Sequence, residues 1–326
     1  MKVLLTGGAG YIGSHTTRLL LEKGHIPIVI DSLENGHKQS IPKEVKFYQG
    51  NIADVSLVNK IFQENSIDSI IHFAGYIEAG ESMQDPLKFF NNNVSNATTF
   101  LQQAVKNNVK KIIFSSTAAV YGMPEKMPIT EQFSKIPVSY YGWSKLFYEQ
   151  ILDAAEVNGI KAICLRYFNA SGASYGIGED HSPETHLIPL LLKTALKQRE
   201  NIAIFGTDYP TPDGTTIRDY IHVLDLAEAH VVALKLLNQG ITGKFNVGTG
   251  KGNSVREVID IAKQITAIDF PVIEEERRPG DPPELIASSD KLQSISSWKP
   301  KYNINDIIES AWEWHSKNPE GFKSVY

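Results

Sequence analysis

The chain is poor in cysteine, in long apolar stretches and in clustered positive charge. Its one cysteine, Cys164, lies in the apolar run Ala162-Ile163-Cys164-Leu165. No intrachain disulfide can form, and a buried thiol in a reducing compartment is expected. No apolar run approaches the roughly 18 residues of a membrane-spanning helix. The N-terminus opens on a core-strand pattern rather than on signal-peptide architecture. No membrane association is expected, and the composition reads as that of a cytoplasmic enzyme. A net charge of -5, with no basic run, excludes a general attraction to nucleic acid or anionic lipid. Internal repeats, low-complexity tracts and linkers are lacking, and no metal centre is expected.

What the chain does have is a glycine-rich turn at its very start. Gly7-Gly8-Ala9-Gly10-Tyr11-Ile12-Gly13 follows the apolar run Lys2-Val3-Leu4-Leu5, and an acid, Asp31, closes a second run, Ile26-Pro27-Ile28-Val29-Ile30. This is a dinucleotide-binding fingerprint. Gly7, Gly10 and Gly13 serve the tight turn, the close approach of backbone to a pyrophosphate and the packing of the next helix on the sheet. The helix opened by Tyr11 and Ile12 offers unpaired N–H groups and the positive end of its dipole. A carboxylate at Asp31 accepts from the adenine ribose hydroxyls and repels a 2′-phosphate, which favours NAD over NADP.

The first half of the chain alternates strand and helix patterns, the signature of a doubly wound parallel α/β sheet of the Rossmann type. Strands are expected at Val3 to Leu5, Ile26 to Ile30, Val45 to Gln49, Ser69 to Phe73, Lys111 to Ser115 and Lys161 to Leu165. Helices are expected at Tyr11 to Lys23, Ser56 to Glu64, Asp85 to Asn107 and Tyr141 to Asn158. After Asn169 the pattern becomes shorter and less regular, which predicts a smaller C-terminal substrate-binding lobe over 171–326. The chain is expected to return to the first sheet around 222–247, so residues 1–170 form the main dinucleotide domain. In such sheets ligands sit beyond the carboxyl ends of the strands. Asn51-Ile52, Ala74-Gly75, Ser115-Ser116-Thr117 and Tyr167-Phe168-Asn169 therefore become the places to look.

Tyr141 and Lys145 stand four residues apart, one turn of a helix, with their side chains on one face. A free phenol has a pKa near 10, so acting as a base near neutrality needs it lowered by about three, worth about 4 kcal/mol. An adjacent ammonium and a cationic nicotinamide can both contribute to this. The chain holds 13 tyrosines, so about one such pair is expected by chance. Position decides: this pair opens the helix that follows the fifth strand, whose end carries Thr117. Thr117 has a hydroxyl suited to orienting a substrate proton, although capping is the commoner use of threonine.

These residues, with His72-Phe73-Ala74-Gly75, Asn92-Asn93-Val94, Leu165-Arg166-Tyr167-Phe168-Asn169 and Arg218-Asp219-Tyr220-Ile221-His222-Val223 in order along the chain, resemble the extended short-chain dehydrogenase/reductases. Within them the chain is similar to the branch that interconverts UDP-glucose and UDP-galactose. The resemblance covers nearly the whole length. It implies NAD that is reduced and reoxidised within one turnover, with Tyr141 as base, Lys145 on the nicotinamide ribose and Thr117 on the sugar 4-oxygen. It further implies Asn35, Ile52, Phe73, Ala74, Asn93 and Tyr167 around NAD, joined by Ser115 and by Asn51, which replaces the usual aspartate near the adenine. Asn169, Leu187, Phe205, Arg218, Arg278 and Asp281 are implied around UDP, and His186 replaces an asparagine there. Two guanidinium groups suit a diphosphate, whereas without the family context each arginine reads as an exposed ion pair. Thr117 replaces a serine, and Ile77 stands where some members have a lysine. Leu285 replaces a bulky tyrosine beside the sugar 2-substituent, which leaves volume for an acetamido group, so UDP-N-acetylglucosamine is a further expected substrate. A homodimer is expected through helices Asp85 to Asn107 and Tyr141 to Asn158, which carry Phe100, Leu101, Phe147 and Leu152.

Two other functions compete. A sugar-nucleotide 4,6-dehydratase needs an acid after the strand-five threonine, where this chain has Ala118-Ala119. A non-catalytic NAD-sensing module would have no use for Thr117, Tyr141 and Lys145 together.

Overall fold

A computed structural model of the protein describes residues 1–278 and 280–322. The elements begin β1 (Lys2–Thr6), α1 (Tyr11–Glu22), β2 (Ile26–Asp31), β3 (Lys46–Gln49), α2 (Val55–Glu64) and β4 (Ser69–His72). There follow α3 (Ala79–Gln84), α4 (Pro86–Phe90), a π-helical stretch (Asn91–Asn96) and α5 (Ala97–Lys106). Next come β5 (Lys111–Thr117), a 3₁₀ turn (Ala118–Tyr121), α6 (Tyr140–Ala154), β6 (Lys161–Tyr167), β7 (Asn169–Ser171) and α7 (Leu187–Ala195). The chain continues through β8 (Ile202–Phe205), β9 (Ile217–His222), α8 (Val223–Asn238), β10 (Gly243–Val247), β11 (Gly252–Ser254) and α9 (Val255–Thr266). It ends with β12 (Val272–Glu275), β13 (Glu284–Leu285), α10 (Asp290–Ser294) and α11 (Ile304–Lys317).

The chain divides into two units. The first comprises Met1–Gly122, Ser134–Tyr167 and Ala227–Phe245; the second comprises Met123–Phe133, Phe168–Leu226 and Asn246–Tyr326. A seven-stranded sheet runs β10-β6-β5-β4-β1-β2-β3, with every pairing from β6 through to β3 parallel. The order reverses beside β1, which makes the carboxyl ends of β1 and β4 the switch point of a doubly wound sheet. This is the α/β class read from the sequence.

Apolar side chains from one face of the strands bury against α2, α5 and α6. Leu4, Ile28, Ile70 and Phe114 pack with Ile61, Phe100, Leu101 and Leu152. That packing corrects one expectation: Phe100, Leu101 and Leu152 are 1%, 4% and 1% exposed and belong to the core, so they cannot be interface residues. The expected single helix Asp85 to Asn107 is likewise three pieces, since α4 passes through the π-helical stretch before α5. Such wide turns recur at functional sites.

In the second unit, β9 pairs antiparallel with β11 and parallel with β7 and β13, while β8 and β12 form a parallel pair. Ile188, Leu191, Ile204, Ile259 and Ile308 form its core. Helices α9 and α11 start at full capping boxes, Ser254 with Glu257 and Asn303 with Asp306, which satisfy backbone donors that would otherwise be orphaned.

Candidate active site

The glycine turn is shaped for a close approach of other atoms. Gly7 has φ +68°, and a Cβ there would lie 2.6 Å from the Ala74 nitrogen; at Gly13 it would lie 2.4 Å from the Gly7 carbonyl oxygen. No side chain caps Gly10 and no acid stands in the first turn of α1. No cap or acid there competes with an anion for the positive end of α1. Asp31, 7% exposed, accepts from the Ala9 N–H and the Leu33 N–H, both at 2.9 Å. Burial raises its pKa, against the opposing pull of those backbone donors. A carboxylate has about four acceptor positions, so two ribose hydroxyls can still be served. These residues fit a dinucleotide.

The remaining cofactor candidates follow successive strands. Asn35 is exposed in the loop after β2. After β3, Asn51 is exposed with its side-chain oxygen accepting from the Ala53 N–H at 2.8 Å, and Ile52 is buried. Phe73 and Ala74 leave β4, the Phe73 ring lying 4.7 Å from that of His230. Asn93 sits in the π-helical stretch, 3% exposed. Its oxygen accepts from the Tyr76 N–H at 2.8 Å, and its nitrogen donates to the Tyr76 carbonyl and the Ser144 hydroxyl at 3.0 Å each. Asn93 thus ties α6 to the segment after β4. The hydroxyls of Ser115 and Tyr167 are hydrogen-bonded to each other across β5 and β6.

Helix α6 begins at Tyr140 because Ser139 caps it, accepting from the Gly142 N–H at 3.1 Å. Tyr141 and Lys145 then fall one turn apart, the Lys145 Nζ 5.9 Å from the centre of the Tyr141 ring and 5.0 Å from that of Phe114. The ammonium, 2% exposed, donates to the Ser115 carbonyl at 3.0 Å. Thr117 Oγ1 accepts from the Ala119 N–H at 3.1 Å, which leaves the Thr117 O–H to donate to the Tyr141 oxygen. The structure thus brings Thr117, Tyr141 and Lys145 together.

In the ligand-free chain the phenol is not depressed. Burial pushes Tyr141 up to about 12; the Thr117 hydrogen bond works against this, and the nearby Glu78 carboxylate adds to it. Burial also pushes Lys145 down to about 8. Near neutrality the Tyr141 phenol therefore keeps its proton while Lys145 is still mostly an ammonium, and a bound positive charge would lower the phenol pKa.

Beneath these groups lies a buried ionic network that the sequence reading missed. Arg166 donates to Glu149 through Nε at 2.9 Å and through a second nitrogen, and to the Tyr121 hydroxyl at 3.0 Å. Ser116 donates to the same carboxylate at 2.5 Å. Arg166 and Glu149 side chains are 4% and 1% exposed. Glu149 lies four residues after Lys145, on the same helix face, a spacing that could have flagged it.

In the second unit, Arg218 on β9 pairs with Asp281. Leu285 stands opposite Arg218 in the β9–β13 register, and the Arg278 guanidinium lies 3.8 Å from the Phe205 ring centre. Arg218, Asp281 and Leu285 thus cluster around β9. Asn169 begins β7 opposite Tyr220 of β9 and is hydrogen-bonded to the Tyr220 side chain. Leu187 opens α7. His186, just before it, is engaged by Glu179 at 2.8 Å.

The sequence profile of the NAD dependent epimerase/dehydratase family matches residues 3–248. The chain belongs to this family. It is 50% identical to a UDP-glucose 4-epimerase of Halalkalibacterium halodurans over 99% of this chain and 98% of that one. A solved UDP-glucose 4-epimerase of Bifidobacterium longum, in complex with NAD+ and UDP, superposes with a TM-score of 0.93 at 40% identity, covering 99% and 100% of the two chains. The UDP-Glc/GlcNAc 4-epimerase of Campylobacter jejuni superposes with a TM-score of 0.86 at 42% identity, over 97% of this chain and 99% of that one. NAD dependence is a property of the family. Among the described residues no helix is long and apolar enough to cross a membrane.

For this family member the buried lysine yields a pH test. Lys145 holds its proton less tightly folded, near 8, than unfolded, near 10.5. Between those values the unfolded chain carries more protons, so stability rises with pH; below about 8 the full cost of burying the ammonium is present. Urea unfolding of the ligand-free protein and of Lys145→Met is expected to show the difference moving in favour of the native chain by on the order of 3 kcal/mol from pH 7.5 to 10.5. A pH-independent difference would show that the ammonium is not desolvated.

Proposed function

We propose that the chain interconverts UDP-glucose and UDP-galactose by reversible, NAD-mediated oxidation at the sugar 4-position. The observation that carries this is the convergence of Thr117, Tyr141 and Lys145 on the same sheet edge as a turn shaped for a dinucleotide. What bound NAD supplies is a reversible hydride acceptor for the sugar 4-carbon and, in its oxidised form, a positive charge. Tyr141 accepts the proton of the 4-hydroxyl and later returns it. Thr117, its oxygen fixed by the Ala119 N–H, orients that proton. Lys145, anchored on the Ser115 carbonyl, holds the nicotinamide ribose. In the second unit Arg218, held by Asp281, and Arg278 meet the diphosphate, with Asn169, His186, Leu187 and Phe205 around the uridine. Dehydration is disfavoured because Thr117 runs into Ala118-Ala119, neither of which can protonate a leaving hydroxyl.

Incubation with UDP-glucose separates the readings: UDP-galactose is expected, a keto-deoxy sugar would mark a dehydratase, and no product would mark a sensor. Tyr141→Phe is expected to lower kcat by about 10²–10⁴-fold, the worth of a positioned base, with bound NAD and melting temperature unchanged. Near-normal turnover would remove Tyr141 from the chemistry.

UDP-N-acetylglucosamine is a second substrate in this reading, because Leu285 at the β9–β13 pairing is smaller than a tyrosine. Leu285→Tyr is expected to lower kcat/KM for the N-acetylated sugar at least about 10-fold relative to UDP-glucose. Equal effects on the two substrates would remove the argument.

The protein further assembles as a homodimer in this reading, through the α4 and α6 surface. Leu87, Tyr140 and Phe147 are 75%, 38% and 38% exposed there, and the Phe90 ring meets that of Tyr140 edge-on and that of Phe147 at a tilt. Light scattering is expected to give twice the chain mass, and half that for Leu87→Asp combined with Phe147→Asp. A monomeric native protein would overturn the assignment.

A further inference from the structure

The loop between β7 and α7 gathers four metal-competent side chains that the reaction does not use together. Glu179, His181, Glu184 and His186 each offer one ligand atom, and these four atoms lie within 4.8 Å of one another. Glu179 Oε1 is 2.8 Å from His186 Nδ1 and 3.3 Å from His181 Nδ1, and Glu184 Oε1 is 3.3 Å from His186 Nδ1. Tetrahedral zinc with bonds near 2.0 Å has ligand–ligand edges of about 3.3 Å, so the cluster needs little movement to close on an ion.

Burial and satisfaction point the same way. The side chains of Glu179 and Glu184 are 5% and 3% exposed. Glu184 Oε1 accepts from the Thr185 and His186 N–H groups at 2.8 and 2.9 Å, which fixes its carboxylate. The other oxygen, Oε2, is buried without a hydrogen-bond partner. An orphaned carboxylate oxygen of this kind is costly and calls for an occupant. His186, 46% exposed, leaves an entry path.

We propose that Glu179, His181, Glu184 and His186 bind one divalent ion of the zinc class, which fastens the β7–α7 loop to the start of α7. Two imidazoles with two carboxylates suit zinc better than calcium or magnesium, which prefer all-oxygen shells. Two carboxylates also neutralise a 2+ charge. The alternative occupant of the same space is a proton, with the His186 imidazolium bridging the two carboxylates. The expectation of no metal centre, drawn from the sequence, overlooked the spacing Glu179-x-His181-x-x-Glu184-x-His186.

The test uses the full chain, stripped with chelator and titrated with Zn²⁺ alone. One ion per chain is expected to survive gel filtration, with a melting temperature that rises with free Zn²⁺. Co²⁺ in its place is expected to give the visible absorption of a four-coordinate nitrogen and oxygen site, removed by competing Zn²⁺. Glu184→Gln and His181→Asn are each expected to weaken Zn²⁺ at least about 100-fold, with unchanged far-ultraviolet circular dichroism. Should either variant fail to fold, the cobalt spectrum of the native protein decides alone. Sub-stoichiometric zinc in the native chain, a six-coordinate cobalt spectrum or undiminished affinity in folded variants would each overturn the proposal and leave the bridging proton.

Discussion

The buried pair of Glu149 and Arg166 is the constraint on which the chemistry of the first unit rests. It joins α6 to β6, takes in the Ser116 hydroxyl of β5 and reaches Tyr121 beyond the strand-five turn. Two of the three groups named as catalytic are near neighbours in sequence of its members: Thr117 follows Ser116, and Lys145 lies one turn before Glu149. Against an apolar replacement such a pair adds little net stability, but losing one member strands a charge in a water-poor interior. Its worth here is register, fixing which turn of α6 faces the end of β5. Asn93 does the same from the opposite side, through Ser144 and the backbone of Tyr76.

Within that frame the protonation state of the Tyr141 phenol in the ligand-free chain opposes the task. Burial pushes the Tyr141 phenol up to about 12 and Lys145 down to about 8, so near neutrality the ammonium is in place and the phenolate is not. In a low-dielectric surrounding a positive charge added beside the phenol would lower its pKa strongly, so an oxidised nicotinamide bound as proposed would act on the base as well as accept hydride. Coupling of this kind would keep the base weak until the oxidant is bound.

The sheet was legible because its strands are short apolar runs between helical patterns, and each expected strand lies within two residues at either end of an observed one. The glycine turn was legible for a similar reason, since steric need leaves a mark in residue type. What the sequence concealed has physical causes. The π-helical stretch at Asn91–Asn96 widens one turn without disturbing the apolar stripe around it. Phe100, Leu101 and Leu152 looked surplus to a single face because α5 and α6 are covered on more than one side. The raised phenol pKa comes from desolvation, which no spacing reports. The carboxylates and imidazoles of residues 179–186 sit in a loop, where no helix or strand period marks them. Of the site residues, those at strand ends and at the start of α6 were readable from topology, whereas the Arg218–Asp281 pairing spans 63 positions and needed the fold.

Asp31 does two jobs with one carboxylate. Besides being the acid expected to meet an adenine ribose, its oxygens accept from the Ala9 N–H of the glycine turn and the Leu33 N–H of the following loop. On that expectation, discrimination against a phosphorylated ribose would be tied to the integrity of the glycine turn. Replacing this acid with a small neutral residue, the usual first step towards accepting the phosphorylated cofactor, would also release the turn that any such cofactor must grip, so redesign here has to rebuild the anchor and the selector together.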